Sequence, residues 1–187
     1  MNKAIFIDKD GTLIPDIPYN IDPELITVDY STKLSLKQVK ENGYLLILVS
    51  NQSGIARGYF TEHDLIQVVE KIQKELKIED VQLDDMFFCP HHPDGTIKEY
   101  AIECDCRKPM PGMIINAASK HNVDLKKSWM IGDILNDIEA GTRAGCKTIL
   151  VDNGNETEWA KSEFRNPLTV VNSLTQAVQF ILEEEKS

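Results

Sequence analysis

Four short apolar runs dominate the pattern of this chain: Ala4–Ile7 (AIFI), Tyr44–Val49 (YLLILV), Trp129–Ile131 (WMI) and Thr148–Val151 (TILV). None alternates apolar with polar residues, so none suits a sheet with one wet face. Continuous apolar strands belong to a parallel sheet covered on both sides. Leu168–Val171 offers a fifth such strand. Helical patterns lie between them. Thr32–Glu41 carries Leu34, Leu36 and Val39, and Thr61 precedes Leu65, Val68, Val69, Ile72 and Leu76. Thr61 and Asp64 have capping-box spacing, with Asp in place of Glu. Pro111 suits the first turn of a helix running through Met113, Ile114 and Ala117. Leu135–Ala144 and Leu174–Leu182 complete the set. Strands alternating with helices predict an α/β fold, doubly wound, with a mainly parallel sheet and helices on both faces.

The 187 residues fit one domain spanning 1–187. With 42% hydrophobic and 27% charged residues, the composition excludes a disordered chain, a collagen and a disulfide miniprotein. Twenty Lys and Arg against 30 Asp and Glu give a net charge of −10. Such a surface repels nucleic acid and anionic membranes. No apolar run approaches the roughly 20 residues of a membrane span. The apolar part of the N-terminus is too short for a signal peptide, so a cytoplasmic location is expected. The C-terminal Glu183-Glu184-Glu185 stands at the unfavourable end of a helix dipole and is expected to fray.

In an open parallel sheet, sites form beyond the carboxyl ends of the strands. The first strand runs into Asp8-Lys9-Asp10-Gly11-Thr12. Two carboxylates two residues apart can divide two tasks, one attacking or holding a cation and one moving a proton. An ordinary Asp-Gly turn would read the same. The second strand ends in Ser50-Asn51-Gln52-Ser53-Gly54, whose hydroxyls and amides can cradle phosphate oxygens or simply form a polar turn. Arg107-Lys108-Pro109 can neutralise an anion, or be a solvated basic pair. The Trp129 strand ends in Gly132-Asp133, followed by Asp137; Asp133 can ligate a hard cation or cap a helix. If these strands are neighbours, an Asp pair, a hydroxyl, a lysine and a further Asp converge in one anion-and-metal pocket.

One segment breaks the rhythm. Residues 87–111 hold Cys89, His91, Cys104 and Cys106. A loop this long needs its own source of order. In a chain without an export signal, clustered cysteines beside a histidine read as metal binding rather than as disulfides. Cys146 reads as a small buried apolar residue, and Trp159 with Phe164 as packing a late loop onto the sheet. His63 and His121 read as surface residues, and His92 as a loop residue rather than a ligand.

Asp8-Lys9-Asp10-Gly11-Thr12, Ser50, Lys108 and Gly132-Asp133-x-x-x-Asp137 resemble the four motifs of the haloacid dehalogenase superfamily of phosphatases. Asn51-Gln52-Ser53-Gly54-Ile55-Ala56-Arg57-Gly58, Cys89-Pro90-His91-His92-Pro93 and Cys104-Asp105-Cys106-Arg107-Lys108-Pro109 resemble, within it, the D-glycero-D-manno-heptose 1,7-bisphosphate phosphatase family. Histidinol-phosphate phosphatases share the cysteine loop and are the alternative. The resemblance covers residues 4–152.

It implies a single haloacid dehalogenase-like domain. It implies catalysis by Asp8 as nucleophile and Asp10 as acid and base, with Ser50 and Lys108 clamping the phosphate. Mg²⁺ would be held by Asp8, the Asp10 backbone and Asp133, with Asp137 orienting Lys108. The substrate would be a small-molecule sugar bisphosphate that loses its 7-phosphate. Asp16, Tyr19, Asn51, Gln52, Ser53 and Arg57 would line the sugar site, and Arg107 would take the second phosphate. Ile134 stands where relatives often carry Lys, at a position that would touch substrate. Cys89, His91, Cys104 and Cys106 would form a closed tetrahedral zinc site that orders the loop rather than performing chemistry. About 40 residues separate Asp10 from Ser50, enough for a crossover helix but not for a cap domain. A monomer with no nucleic-acid or membrane partner is expected, working upstream of surface-glycan synthesis. A phospho-accepting receiver module also pairs acids with a hydroxyl and a lysine, but its acceptor Asp lies on a later strand.

Overall fold

The computed structural model describes residues 1–186. Six strands, β1 (Lys3–Ile7), β2 (Tyr44–Asn51), β3 (Asp85–Cys89), β4 (Trp129–Gly132), β5 (Lys147–Val151) and β6 (Thr169–Val171), form one sheet in the order β3-β2-β1-β4-β5-β6. Every pairing is parallel. The helices are α1 (Tyr30–Glu41), α2 (Ser53–Ala56), α3 (Glu62–Lys77), α4 (Gly112–His121), α5 (Leu135–Ala144) and α6 (Leu174–Glu184).

The lack of alternation in the strands now has its explanation: both sheet faces are buried. Ile5 and Ile7 of β1 join Leu46, Leu48, Trp129 and Ile149 in a core with α1, α3 and α6. Ala4 and Phe6 face the other way, into a core with Ile47, Val49, Met130 and helix α4. Residues 8–29 contain one short 3-10 turn, Pro23–Leu25, and no inserted domain among the described residues. The Thr61 capping box forms: Asp64 N donates to Thr61 Oγ1 (3.3 Å), and Thr61 N donates to Asp64 Oδ2 (2.8 Å).

Three expectations are revised. The irregular segment begins later than residue 87, because Phe87–Cys89 complete β3 by pairing with Val49–Asn51. The Glu triplet is not loose throughout: Glu185 accepts from Lys3 Nζ (2.6 Å) and Tyr44 Oη (2.7 Å), outweighing the unfavourable helix dipole. Trp159 remains 47% exposed instead of packing on the sheet. Phe164 lies beneath the Arg143 guanidinium, 4.2 Å from its ring centre. Of the histidines, His63 is exposed, whereas His121 pairs with Asp85 at 2.6 Å.

Candidate active site

The chain winds outward in both directions from β1 and β4, so their carboxyl ends open a crevice at the topological switch point. Asp8 follows β1 and Asp133 follows β4, while Ser50 and Asn51 close β2. Lys108 arrives from the far end of the cysteine loop. Asn51 secures it through both amide atoms: Lys108 N donates to Asn51 Oδ1 (2.9 Å), and Asn51 Nδ2 donates to Lys108 O (3.0 Å). Asn51, expected at the sugar, thus holds the backbone of the lysine.

Lys108 Nζ lies between three acceptors: Asp8 Oδ1 (2.5 Å), Asp137 Oδ1 (2.6 Å) and the Val49 carbonyl (2.9 Å). All these side chains are buried, Asp137 completely. The electrostatics follow. Burial pushes the Asp8 carboxyl well above the usual range; Lys108 pulls it down, and the neighbouring Asp137, Asp133 and Asp10 push it up. Burial also opposes the Lys108 charge, but Asp137 and Asp8 outweigh it and the ammonium is held more firmly than usual. Burial, with Asp137 nearby, raises Asp133 to about 6, against a hydrogen bond from Asn155.

Carboxylate oxygens of Asp8, Asp133 and Asp137 lie within 4.8 Å of one another. Three buried carboxylates facing one ammonium suit a hard divalent cation. Asp137 Oδ1 faces the Lys108 ammonium, and its Oδ2 accepts from the Ile134 backbone N–H at 3.2 Å. Asp133 is held by neutral donors and Asp8 meets Lys108 through one oxygen, so these two are the better ligands. Asp133 does not cap α5; Thr12 Oγ1 and Asn155 Nδ2 hold its carboxylate, at 3.4 and 2.6 Å. Gly11 makes this approach possible: its φ is +85°, and a Cβ there would collide with Asp133 and Asn155.

Asp10 turns away from this cluster. Its carboxylate accepts from Lys9 Nζ (2.5 Å) and Gln52 Nε2 (3.0 Å), and the same Gln52 amide donates to Ser50 Oγ (2.7 Å). A cavity of about 290 Å³ opens beside it, lined among others by Asp10, Asp16, Tyr19, Asn51, Gln52 and Ser53. Arg57, Arg107 and Ile134 are not among its lining residues. The Arg57 guanidinium approaches His92 Nε2 (3.4 Å), leaving its own Nε buried and unpartnered. Arg107 donates to the His91 carbonyl (3.4 Å).

The cysteine loop converges as its composition predicts. Cys106 Sγ lies 3.1 Å from Cys89 Sγ, 3.2 Å from Cys104 Sγ and 3.3 Å from His91 Nδ1. Ligands at about 2.3 Å from a tetrahedral zinc would be roughly 3.8 Å apart, so the donors need only small outward shifts. Burial, offset in part by Cys89, pushes the Cys106 thiol up to about 11, so a cation is what would favour its thiolate. The remaining cysteine, Cys146, is also pushed up by burial, to about 12.

Comparison with known proteins supplies the deciding observation. A D-glycero-beta-D-manno-heptose-1,7-bisphosphate 7-phosphatase of Pasteurella multocida is 43% identical over 183 residues, covering 96% of this chain and 98% of its own. The chain belongs to the heptose-1,7-bisphosphate 7-phosphatase family. A D-glycero-alpha-D-manno-heptose-1,7-bisphosphate 7-phosphatase of Photorhabdus laumondii is 39% identical, over 83% of this chain and 85% of its own. The HAD-hydrolase-like family model matches residues 105–177. The D,D-heptose 1,7-bisphosphate phosphatase of B. bronchiseptica, solved with magnesium and phosphate, superposes with a TM-score of 0.78 at 28% identity, covering 97% of this chain and 99% of its own.

Within this heptose-bisphosphate phosphatase framework, three residues near the site escape sequence reasoning. Asn153 donates to the Gly11 carbonyl (2.6 Å), Asn155 to Asp133 (2.6 Å), and Glu156 accepts from the Leu135 N–H (2.6 Å). Their only sequence signal is a polar Asn-Gly-Asn turn after β5, indistinguishable from a surface loop.

Proposed function

We propose that this protein is a Mg²⁺-dependent phosphatase that removes the 7-phosphate of D-glycero-D-manno-heptose 1,7-bisphosphate. The observation that carries the reading is Lys108, buried between Asp8 and Asp137 at the switch point. Asp8 attacks phosphorus in line; the new Asp8–phosphorus bond replaces the bond to the sugar oxygen. Asp10 protonates that leaving oxygen. It then takes a proton from the water that cleaves the aspartyl-phosphate, returning Asp8 and releasing phosphate. Gln52 and Lys9 fix the Asp10 carboxylate for this exchange. Ser50 and Lys108 hold the transferring oxygens, and Asp137 orients Lys108. Asp8, Asp133 and the Asp10 backbone would hold Mg²⁺, which supplies neutralisation of the charge between two anions.

Zinc at Cys89, His91, Cys104 and Cys106 would fix the loop whose last ligand directly precedes Arg107 and Lys108. Arg107 is the partner for the second phosphate, since a guanidinium binds phosphate in two-pronged fashion. Asp16, Tyr19, Asn51, Gln52 and Ser53 line the sugar side, and Arg57 and Ile134 are outside that lining. In this reading the enzyme is a cytoplasmic monomer acting on a small molecule, and its product feeds nucleotide-activated heptose for surface glycan.

The test is Mg²⁺-dependent phosphate release from both anomers of heptose 1,7-bisphosphate, fructose 1,6-bisphosphate and histidinol phosphate. Preference for a heptose bisphosphate anomer is expected. Preference for histidinol phosphate, or no turnover of any substrate, would overturn the reading.

A further inference from the structure

The segment after β5 makes three ties to the candidate site, and none is explained by packing. Residues 152–156 are exposed or half-buried, so burial does little to hold the turn down. Hydrogen bonds hold it instead. Asn153 Nδ2 reaches the carbonyl of Gly11, in the turn following Asp8 and Asp10. Glu156 Oε2 accepts from the N–H of Leu135, the first residue of α5, while its Oε1 accepts from Glu158 N (2.9 Å) and Trp159 N (3.1 Å). Those two anchors place the residue between them. Asn155 then donates to Asp133 Oδ2 at 2.6 Å, leaving Thr12 at 3.4 Å as the neighbour of the other oxygen.

We infer that Asn155 is a positioning residue for Asp133, fixing one carboxylate oxygen so that the other is presented to the divalent cation, and that the 153–156 segment thereby sets metal affinity. The inference rests on the metal site proposed above. A carboxylate ligand free to rotate must be ordered when the cation binds; one held by an amide donor is already oriented. Asn suits this task better than Lys or Arg would. It donates a hydrogen bond but adds no positive charge, so the negative potential that attracts the cation is retained. Gly11 belongs to the same device, because any larger residue would occupy the space where the two side chains meet.

The test uses Mn²⁺ as the probe. Full-length, zinc-loaded wild type, Asn155→Ala and Asn153→Ala are titrated with Mn²⁺, and free ion is read by electron paramagnetic resonance. Mg²⁺ competition is measured on the same samples. Asn155→Ala is expected to bind both ions about tenfold more weakly, the lower end of what losing such a partner costs. The Mg²⁺ concentration for half-maximal phosphate release should rise in parallel. Asn153→Ala should change binding less, because it loosens the turn without removing the amide from Asp133. Unchanged affinity in Asn155→Ala overturns the inference, including the case in which only its melting temperature falls. An equal loss in Asn153→Ala also overturns it, since loop placement would then be responsible. Absence of Mn²⁺ binding in wild type would refute the proposed metal site itself, and the inference with it.

Discussion

The two ends of the same sheet carry charge in opposite ways. At the amino end, Lys3 pairs with Glu185 at 2.6 Å with side chains 26% and 32% exposed. Lys3 also lies over the Tyr44 ring, and Lys147 over the Trp129 ring. Each carboxylate there has its own lysine, Lys3 for Glu185 and Lys147 for Glu184 at 3.8 Å, and water reaches both pairs. Burial raises the Glu185 carboxyl, but hydrogen bonds from Lys3 and Tyr44 outweigh it, so the group sits below its usual value. At the carboxyl end, Lys108 is 3% exposed and faces Asp8 and Asp137, with Asp133 beside them. Acids outnumber bases in a dry crevice, and the Asp8 and Asp133 carboxyls are pushed up. A matched, wet cluster fastens a terminus to the sheet. An unmatched, buried one costs stability, and that cost is the mark of a site built for another charge.

The sharpest way to break this contrast is Asp8→Asn. Phosphate release should fall by at least about a thousandfold, as expected when a nucleophile is removed. The melting temperature should stay level or rise, because a buried acid among like charges is removed while Lys108 retains Asp137. A clear loss of stability would mean that Asp8 is structural, like Glu185.

Lys108→Met is the complementary test. It leaves Asp8 and Asp137 buried without a cation, so activity should be lost and unfolding free energy should drop by about 3–5 kcal/mol. Chemical denaturation checks this, and a change within experimental error would remove Lys108 from the centre of the site.

Chelating zinc should expose residues 90–111 to protease and reduce activity while the sheet stays folded by circular dichroism. Full activity in verified zinc-free protein would separate the loop from the site.

The smallest effect is expected at the amino end. Glu185→Gln should cost about 0.2–1 kcal/mol, since the pair is partly solvated. The Glu185 carboxyl is lowered on folding from its ordinary 4.5. Its contribution is therefore present above about that pH and disappears as pH falls through the lower folded value. Melting curves of wild type and variant should thus differ at pH 7 and converge in acid.

Much of the fold was legible because periodicity reports burial directly. Runs such as Ala4–Ile7 and Tyr44–Val49 could only be strands buried on both faces, and each was found there. Helix starts with local chemistry, such as Thr61 with Asp64, were legible for the same reason. β3 was less so: Asp85–Cys89 is an edge strand, half-buried along most of its length, and its last residues merge with the cysteine loop. The helix at Ser53–Ala56 is too short to show a period.

The amino-acid sequence by itself determined the strand-and-helix alternation, the acidic and basic residues at the strand ends, and a Cys/His set spaced to close on itself. Those features depend on residue type and on short separations along the chain. The tertiary structure decided which of the polar groups meet. It turned Asn51 onto the backbone of Lys108, set Asp137 against the Lys108 ammonium and the Ile134 N–H, and brought Asn155 to Asp133 across 22 residues of chain. No local pattern encodes such contacts, because a single amide looks the same in sequence whether it faces water or the carboxylate of another strand.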